Sequence, residues 1–172
     1  MLFHLPKVPA EIRISHLNER INEQRKKIAQ TTASKFELLQ LTQQLSKEAR
    51  ARKKNNQKIY VLDFKGDIQA SDVENLREEI TLILATAKAG KDRVVVRLES
   101  PGGAVHGYGL AAAQLVRLRD AGFHLTICVD KVAASGGYMM ACIATEIISA
   151  PFAVVGSIGV VAQVPNFNRL LK

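Results

Sequence analysis

The sequence predicts an α/β domain with a parallel sheet, preceded by a long helical extension. Three observations carry this. From Ile59 onward, strand-length apolar runs alternate with amphipathic stretches of helical length, the pattern that favours parallel strands joined by crossover helices. Two glycine-rich turns, around Ser100–Gly103 and Ser135–Gly137, each follow an apolar run. The charge is also divided. Residues 1–58 hold 13 Lys/Arg against 5 Asp/Glu, whereas residues 59–172 hold 11 of each. Residues 1–58 therefore read as a basic helical extension and linker, and residues 59–172 as the globular part, which gives no electrostatic reason to expect a nucleic-acid partner.

In chain order, residues 10–56 read as one long polar helix, free of internal Pro and Gly. Leu17, Ile21, Ile28, Leu38 and Leu45 form an approximate heptad stripe, interrupted by Gln24, Thr31, Lys35 and Thr42. A solvated arm and a coiled-coil contact are both open readings. Lys47–Lys58, "KEARARKKNNQK", is a basic stretch whose default is a solvated linker, with nucleic-acid or membrane-surface contact as alternatives. It lacks the interleaved aromatic residues that single-strand binding uses.

"IYVLDF" is the first strand. "SDVENLREEITLILATAKAG" is a helix whose expected start is a capping box of Ser71 and Glu74 and whose expected end is near Gly90. Val73, Leu76, Ile80, Ile83, Leu84 and Ala87 form its apolar face. "RVVVRL" is a strand, "SPGGAVHGYG" a glycine-rich turn and "LAAAQLVRLRDAG" a helix. "HLTICVD" is the third strand, "GGYMMACIAT" opens a helix, and "EIISA", "AVVGSI" and "GVVAQV" are short strands. At 47% apolar residues the chain can fill one core, without tryptophan. Cys128 and Cys142 lie in apolar runs with no metal-site spacing, so buried free thiols are expected. No run is long enough to span a bilayer, and the chain read alone is expected to be soluble.

The chemistry concentrates in "VAASGGYMMA", where Ser135 stands among Ala133, Ala134, Gly136 and Gly137. In parallel α/β sheets functional groups gather at the carboxyl ends of strands, so both glycine turns could open onto one cleft. Acyl transfer needs a nucleophile, a proton acceptor and donors for the oxyanion. Ser135 precedes a helix whose first amide, Gly136, has no partner within that helix, and the helix dipole favours negative charge there. Gly103 offers a second amide, after a Pro101 that holds Ser100 extended. On spacing alone, Ser135 reads as a residue of a tight corner more readily than as a nucleophile. The proton acceptor is the weak point: His106, three residues beyond Gly103, leaves a Ser–His arrangement open but reads first as a helix-entry residue, Lys131 reads as a strand-edge residue, and Lys172 as a terminal one unsuited to a buried low-pKa amine. His4, His16 and His124 complete the histidines.

"LDFKGDIQASDVENLREEIT", "VVVRLESPGGAVHGYGLAAAQLVRLRD", "VDKVAASGGYMMACIA" and "SAPFAVVGSIGVVAQVPNFNRLLK" together resemble the SohB-type branch of the signal peptide peptidase A family. The resemblance covers residues 59–172. It implies a ClpP/crotonase-like fold of repeated ββα units, incomplete at its C-terminal end in this chain. It implies a bacterial serine endopeptidase with a Ser–Lys dyad, no metal and no organic cofactor, acting on peptides or proteins as a homo-oligomer. It also implies an inner-membrane enzyme with a periplasmic catalytic domain. By that resemblance Ser135 is the nucleophile, Gly103 and Gly136 are the oxyanion donors, and Ser157 in "VVGSIGVV" orients the lysine. The family's general-base Lys falls beyond Lys172 and its N-terminal membrane helix before this chain. The 172 residues alone are therefore expected to have little activity. Two rival readings stay open: a non-catalytic assembly or binding module on the same fold, and crotonase-like acyl-CoA chemistry, which an intact Ser135 disfavours.

Overall fold

In the computed structural model, residues 12–159 are described, and the chain divides into two units, residues 1–58 and 59–172. In the first unit the long helix expected over residues 10–56 is two helices, α1 (Leu17–Thr32) and α2 (Lys35–Asn55). The break lies at Ala33, which is extended, and at Ser34. Ser34 caps α2: the Glu37 amide donates to Ser34 Oγ at 3.4 Å, and the Ser34 amide donates to the Glu37 carboxylate at 2.8 Å. This reciprocal box satisfies two amides that a new helix start leaves unpaired, and it holds the Glu37 carboxyl below its ordinary range. The break resets the helical phase and divides the heptad stripe. Leu45 is buried, whereas Ile21 and Ile28 are exposed. Most of the presumed linker is helical, because α2 continues to Asn55 before Asn56 closes it in the left-handed conformation (φ 49°).

The second unit is α/β with two parallel sheets. β1 (Ile59–Lys65), β2 (Arg93–Glu99), β3 (His124–Val129) and β5 (Glu146–Ser149) form a four-stranded sheet in the order β1-β2-β3-β5. β4 (Val132–Ala134) and β6 (Val154–Gly156) form a small second sheet. Crossovers run through α3 (Val73–Thr86) and α4 (Val105–Asp120), and α5 (Gly136–Ala141) follows β4. The alternation of side chains along each strand decides the faces. Leu62, Phe64, Val94, Val96, Leu98, Leu125 and Ile127 enter the core with Leu76 and Ile80 of α3 and with Leu115 and Leu118 of α4. The intervening positions Asp63 and Arg97 stay exposed and form an ion pair across neighbouring strands.

Several expected boundaries shift. The Ser71–Glu74 box does not form. The Ser71 amide donates instead to the Asp67 carboxylate at 2.8 Å, and α3 starts one residue later, at Val73 after Asp72. α3 ends at Thr86, and Gly90 (φ 76°) sits in the turn beyond. α4 starts at Val105, inside the expected glycine turn. Gly107 lies within that helix, and glycine suits it because a Cβ there would lie 2.6 Å from the Gln69 carbonyl oxygen. The helix after Ser135 is shorter than expected and gives way to a turn at Cys142. The cysteines are not buried: Cys128 is half-buried, on the face of β3 opposite its core residues, and Cys142, at the end of α5, is exposed. The expected strand "GVVAQV" lies almost wholly outside the described residues, as do His4 and Lys172.

Candidate active site

Four connections leave the carboxyl ends of parallel strands and meet at one place. They are Gly66–Ile68 after β1, Ser100–Gly103 after β2, Ser135 after β4 and Ser157 after β6. Backbone hydrogen bonds stitch them together. The Gly66 amide donates to the Glu99 carbonyl at 2.9 Å. Ser100 donates to Val132 and accepts from Ala134, both at 2.9 Å, which binds the end of β2 to β4. The Ser135 amide donates to the Gly156 carbonyl at 2.9 Å, extending the β4–β6 register to the turn that carries Ser157. The sequence thus brings the two glycine turns and the Ser157 segment to one locus, from positions 57 residues apart at the extremes (Ser100 and Ser157).

Ser135 has φ 51° and ψ −116°. These angles lie outside the left-handed helical well that non-glycine residues visit, in territory ordinarily left to glycine. Such a conformation costs about 1–3 kcal/mol and is kept where surrounding structure imposes it, typically at functional sites. Ser135 is also the N-cap of α5, yet its side chain makes no capping bond. Its hydroxyl is therefore not spent on the role that serine most often has there. Ser157 is exposed and likewise has positive φ, 53°.

The amides opposite are equally selective. In the run Gly102–Gly103–Ala104 the outer two are tied down: Gly102 N–H donates to Ser100 Oγ at 3.1 Å, and Ala104 N–H donates to the Ile68 carbonyl at 2.7 Å. Among the described residues the Gly103 amide has no backbone acceptor, and neither has that of Gly136. Gly102, at φ 88°, lies directly against the serine: a Cβ there would stand 2.6 Å from Ser135 Cβ and 2.9 Å from Gly136 N. The two candidate donor segments and the serine are thus packed against one another through a residue that must be glycine.

Below them lies a hydroxyl pair that sequence reasoning missed. Ser100 and Tyr108 are both fully buried, and their hydroxyl oxygens are 2.6 Å apart. Tyr108 also donates to the Asp67 carbonyl at 2.7 Å. Burial pushes the Tyr108 phenol above its ordinary range, which keeps it a donor. The sequence signal was a tyrosine amid glycines at the start of α4, a position that would be solvent-facing had the segment been a turn.

The candidate bases are less favoured. His106 is exposed in the first turn of α4. Lys131 is exposed, and its Nζ pairs with the Glu99 carboxylate at 3.1 Å. Among the described residues no cluster of His, Cys, Asp or Glu could hold a metal ion, and no helix is long and apolar enough to cross a membrane.

Residues 6–115 match the family described as Peptidase family S49 N-terminal, and residues 117–172 match Peptidase family S49. The chain belongs to peptidase family S49. It is similar to a probable protease SohB of Buchnera aphidicola subsp. Schlechtendalia chinensis, with 49% identity covering 98% of this chain and 60% of that protein. The probable protease SohB of Haemophilus influenzae is 52% identical over 94% of this chain and 50% of its own length. That of Buchnera aphidicola subsp. Acyrthosiphon pisum is 63% identical over 70% and 35%. The chain therefore spans between about a third and three fifths of these S49 relatives. The SohB-type resemblance seen in "LESPGG", "VAASGGYMMA" and "VVGSIGVV" is borne out. The solved structure of a ClpP1 point mutant from Listeria monocytogenes aligns over 56% of this chain and 50% of its own, with TM-score 0.36 and 12% identity.

Proposed function

We propose that this chain is the nucleophile-bearing part of a SohB-type serine endopeptidase. Ser135 Oγ adds to the carbonyl carbon of an extended peptide while its proton passes to a neutral lysine amine. The oxyanion accepts hydrogen bonds from the Gly103 and Gly136 amides, where preorganised donors are worth most. Collapse expels the amine half of the peptide, protonated by the lysine, and water then releases the acyl group by the same steps in reverse. The lysine comes from outside residues 12–159, and Ser157 orients it. Membrane attachment, a periplasmic catalytic domain and assembly into homo-oligomers belong to the same proposal. No cofactor takes part in it.

The observation that carries the reading is Ser135 itself: a serine held at φ 51° with its hydroxyl unused for capping. A residue serving only as a corner gains nothing from a side chain at such angles, where glycine is unstrained. The experiment is casein hydrolysis by the full-length polypeptide and its Ser135→Ala variant. Loss of at least about 1000-fold is expected from removing a nucleophile. Unchanged hydrolysis in the variant would overturn the assignment and favour a non-catalytic role for this fold.

A further inference from the structure

The Tyr108 hydroxyl has one proton, and it goes to the Asp67 carbonyl at 2.7 Å. At the 2.6 Å contact with Ser100, Tyr108 must therefore accept, and Ser100 must donate. Ser100 Oγ in turn accepts from Gly102 N–H at 3.1 Å. The protons run one way, from the Gly102 amide through Ser100 and Tyr108 to the backbone of the β1–α3 connection. Each buried hydroxyl donates once, and no alternative proton arrangement satisfies all three bonds.

This chain of bonds ends beside the candidate oxyanion donors. Fixing Gly102 N on one side and Ala104 N on the other leaves the Gly103 amide between two anchored neighbours. The ring of Tyr108 also backs Gly136 so closely that a Cβ there would collide with it. One side chain thus supports both donor segments, by its hydroxyl and by its ring. We infer that Tyr108 and Ser100 are positioning residues that set the Gly103 and Gly136 amides for oxyanion binding. The inference rests on the reading of Ser135 as nucleophile.

The test uses a fluorophosphonate–rhodamine probe on the full-length polypeptide, because attack of a serine on its phosphorus, with loss of fluoride, builds negative charge on the phosphoryl oxygen where the oxyanion would form. The variants are Tyr108→Phe, Ser100→Ala, their double and Ser135→Ala. The labelling rate constant kinact is separated from the probe affinity KI, and Tm is measured alongside. Tyr108→Phe keeps the ring and loses only the hydroxyl. Its kinact is expected to fall about 10- to 100-fold with KI unchanged, the scale of an amide displaced by a fraction of an ångström. Ser100→Ala should fall similarly, and the double variant should be no worse than about threefold below the poorer single, because the two act as one chain. Should Tyr108→Phe prove too unstable to handle, Ser100→Ala carries the same readout. A purely structural pair would lower Tm and leave kinact within about twofold of the parent at temperatures below unfolding, and that result overturns the inference while the nucleophile reading stands. Labelling that survives Ser135→Ala, or its absence in the parent polypeptide, overturns the nucleophile reading and the inference with it.

Discussion

Replacing Ser135 by glycine should make the protein more stable while destroying its chemistry. Ser135 is held at φ 51°, ψ −116°, and a non-glycine residue in such a region costs about 1–3 kcal/mol. Glycine removes that strain but gives back about 0.5–1 kcal/mol through the greater freedom of the unfolded chain. Side-chain packing adds little to the balance, because the Ser135 hydroxyl makes no capping bond that glycine would lose. The net gain is about 1 kcal/mol, which for a unit of roughly a hundred residues raises Tm by about 4 °C. Alanine keeps the Cβ and hence the strain, so Ser135→Ala should stay within about 0.5 kcal/mol of the parent. The assay is urea unfolding of both variants in parallel, with equal m-values required before midpoints are compared. If Ser135→Gly is no more stable than Ser135→Ala, the backbone is not strained there, and strain lends no support to Ser135 as the nucleophile.

Gly102→Ala should be damaging in both respects. Its Cβ would sit 2.6 Å from Ser135 Cβ and 2.7 Å from the Ala134 carbonyl oxygen, at φ 88°. A loss of about 2 kcal/mol or more in urea unfolding and of about 100-fold in probe labelling is expected. Glu79 gives a pH-dependent case. Burial, with Asp72 and Asp63 nearby, raises its carboxyl above 4.5 in the folded state. Below that value both states hold the proton and nothing is lost. As pH rises through it toward the folded-state value, the unfolded chain ionises freely and the folded one does so at a penalty, so stability falls and stays lower. Glu79→Gln should therefore raise Tm at about pH 7 and lose its advantage below about pH 4 in a thermal scan. Lys131→Ala should leave labelling within about twofold of the parent, since the exposed pair with Glu99 is worth about 0–1 kcal/mol and the proposed base is another lysine.

The fold was legible where side-chain pattern alone decides it. The alternation in "RVVVRLE" puts Val94, Val96 and Leu98 on one face, and those residues are buried. Two identical Ser-x-x-Glu patterns show where pattern stops being enough. Ser34–Glu37 forms a capping box and breaks the long helix, whereas Ser71–Glu74 does not, because Asp67 captures the Ser71 amide first. The competitor is visible only once the turn at Asp67–Ala70 is folded. The candidate site was legible in its residue types but not in its backbone. "SPGG" and "VAASGGY" mark the segments, but no residue type announces φ 51° at a serine, and the three-residue strands that join the segments carry too little periodicity to read. Tyr108 was hidden for a different reason. Its neighbours Gly107 and Gly109 signal a turn, yet Gly107 is there to let α4 approach the Gln69 carbonyl.

The measurement that bears most directly on the nucleophile is the site of covalent labelling. Full-length polypeptide treated with the fluorophosphonate probe, digested and analysed by mass spectrometry should carry one phosphonyl group, on the peptide containing Ser135, and none in Ser135→Ala. Label on Ser157 or elsewhere, or none on a folded full-length polypeptide, would contradict it.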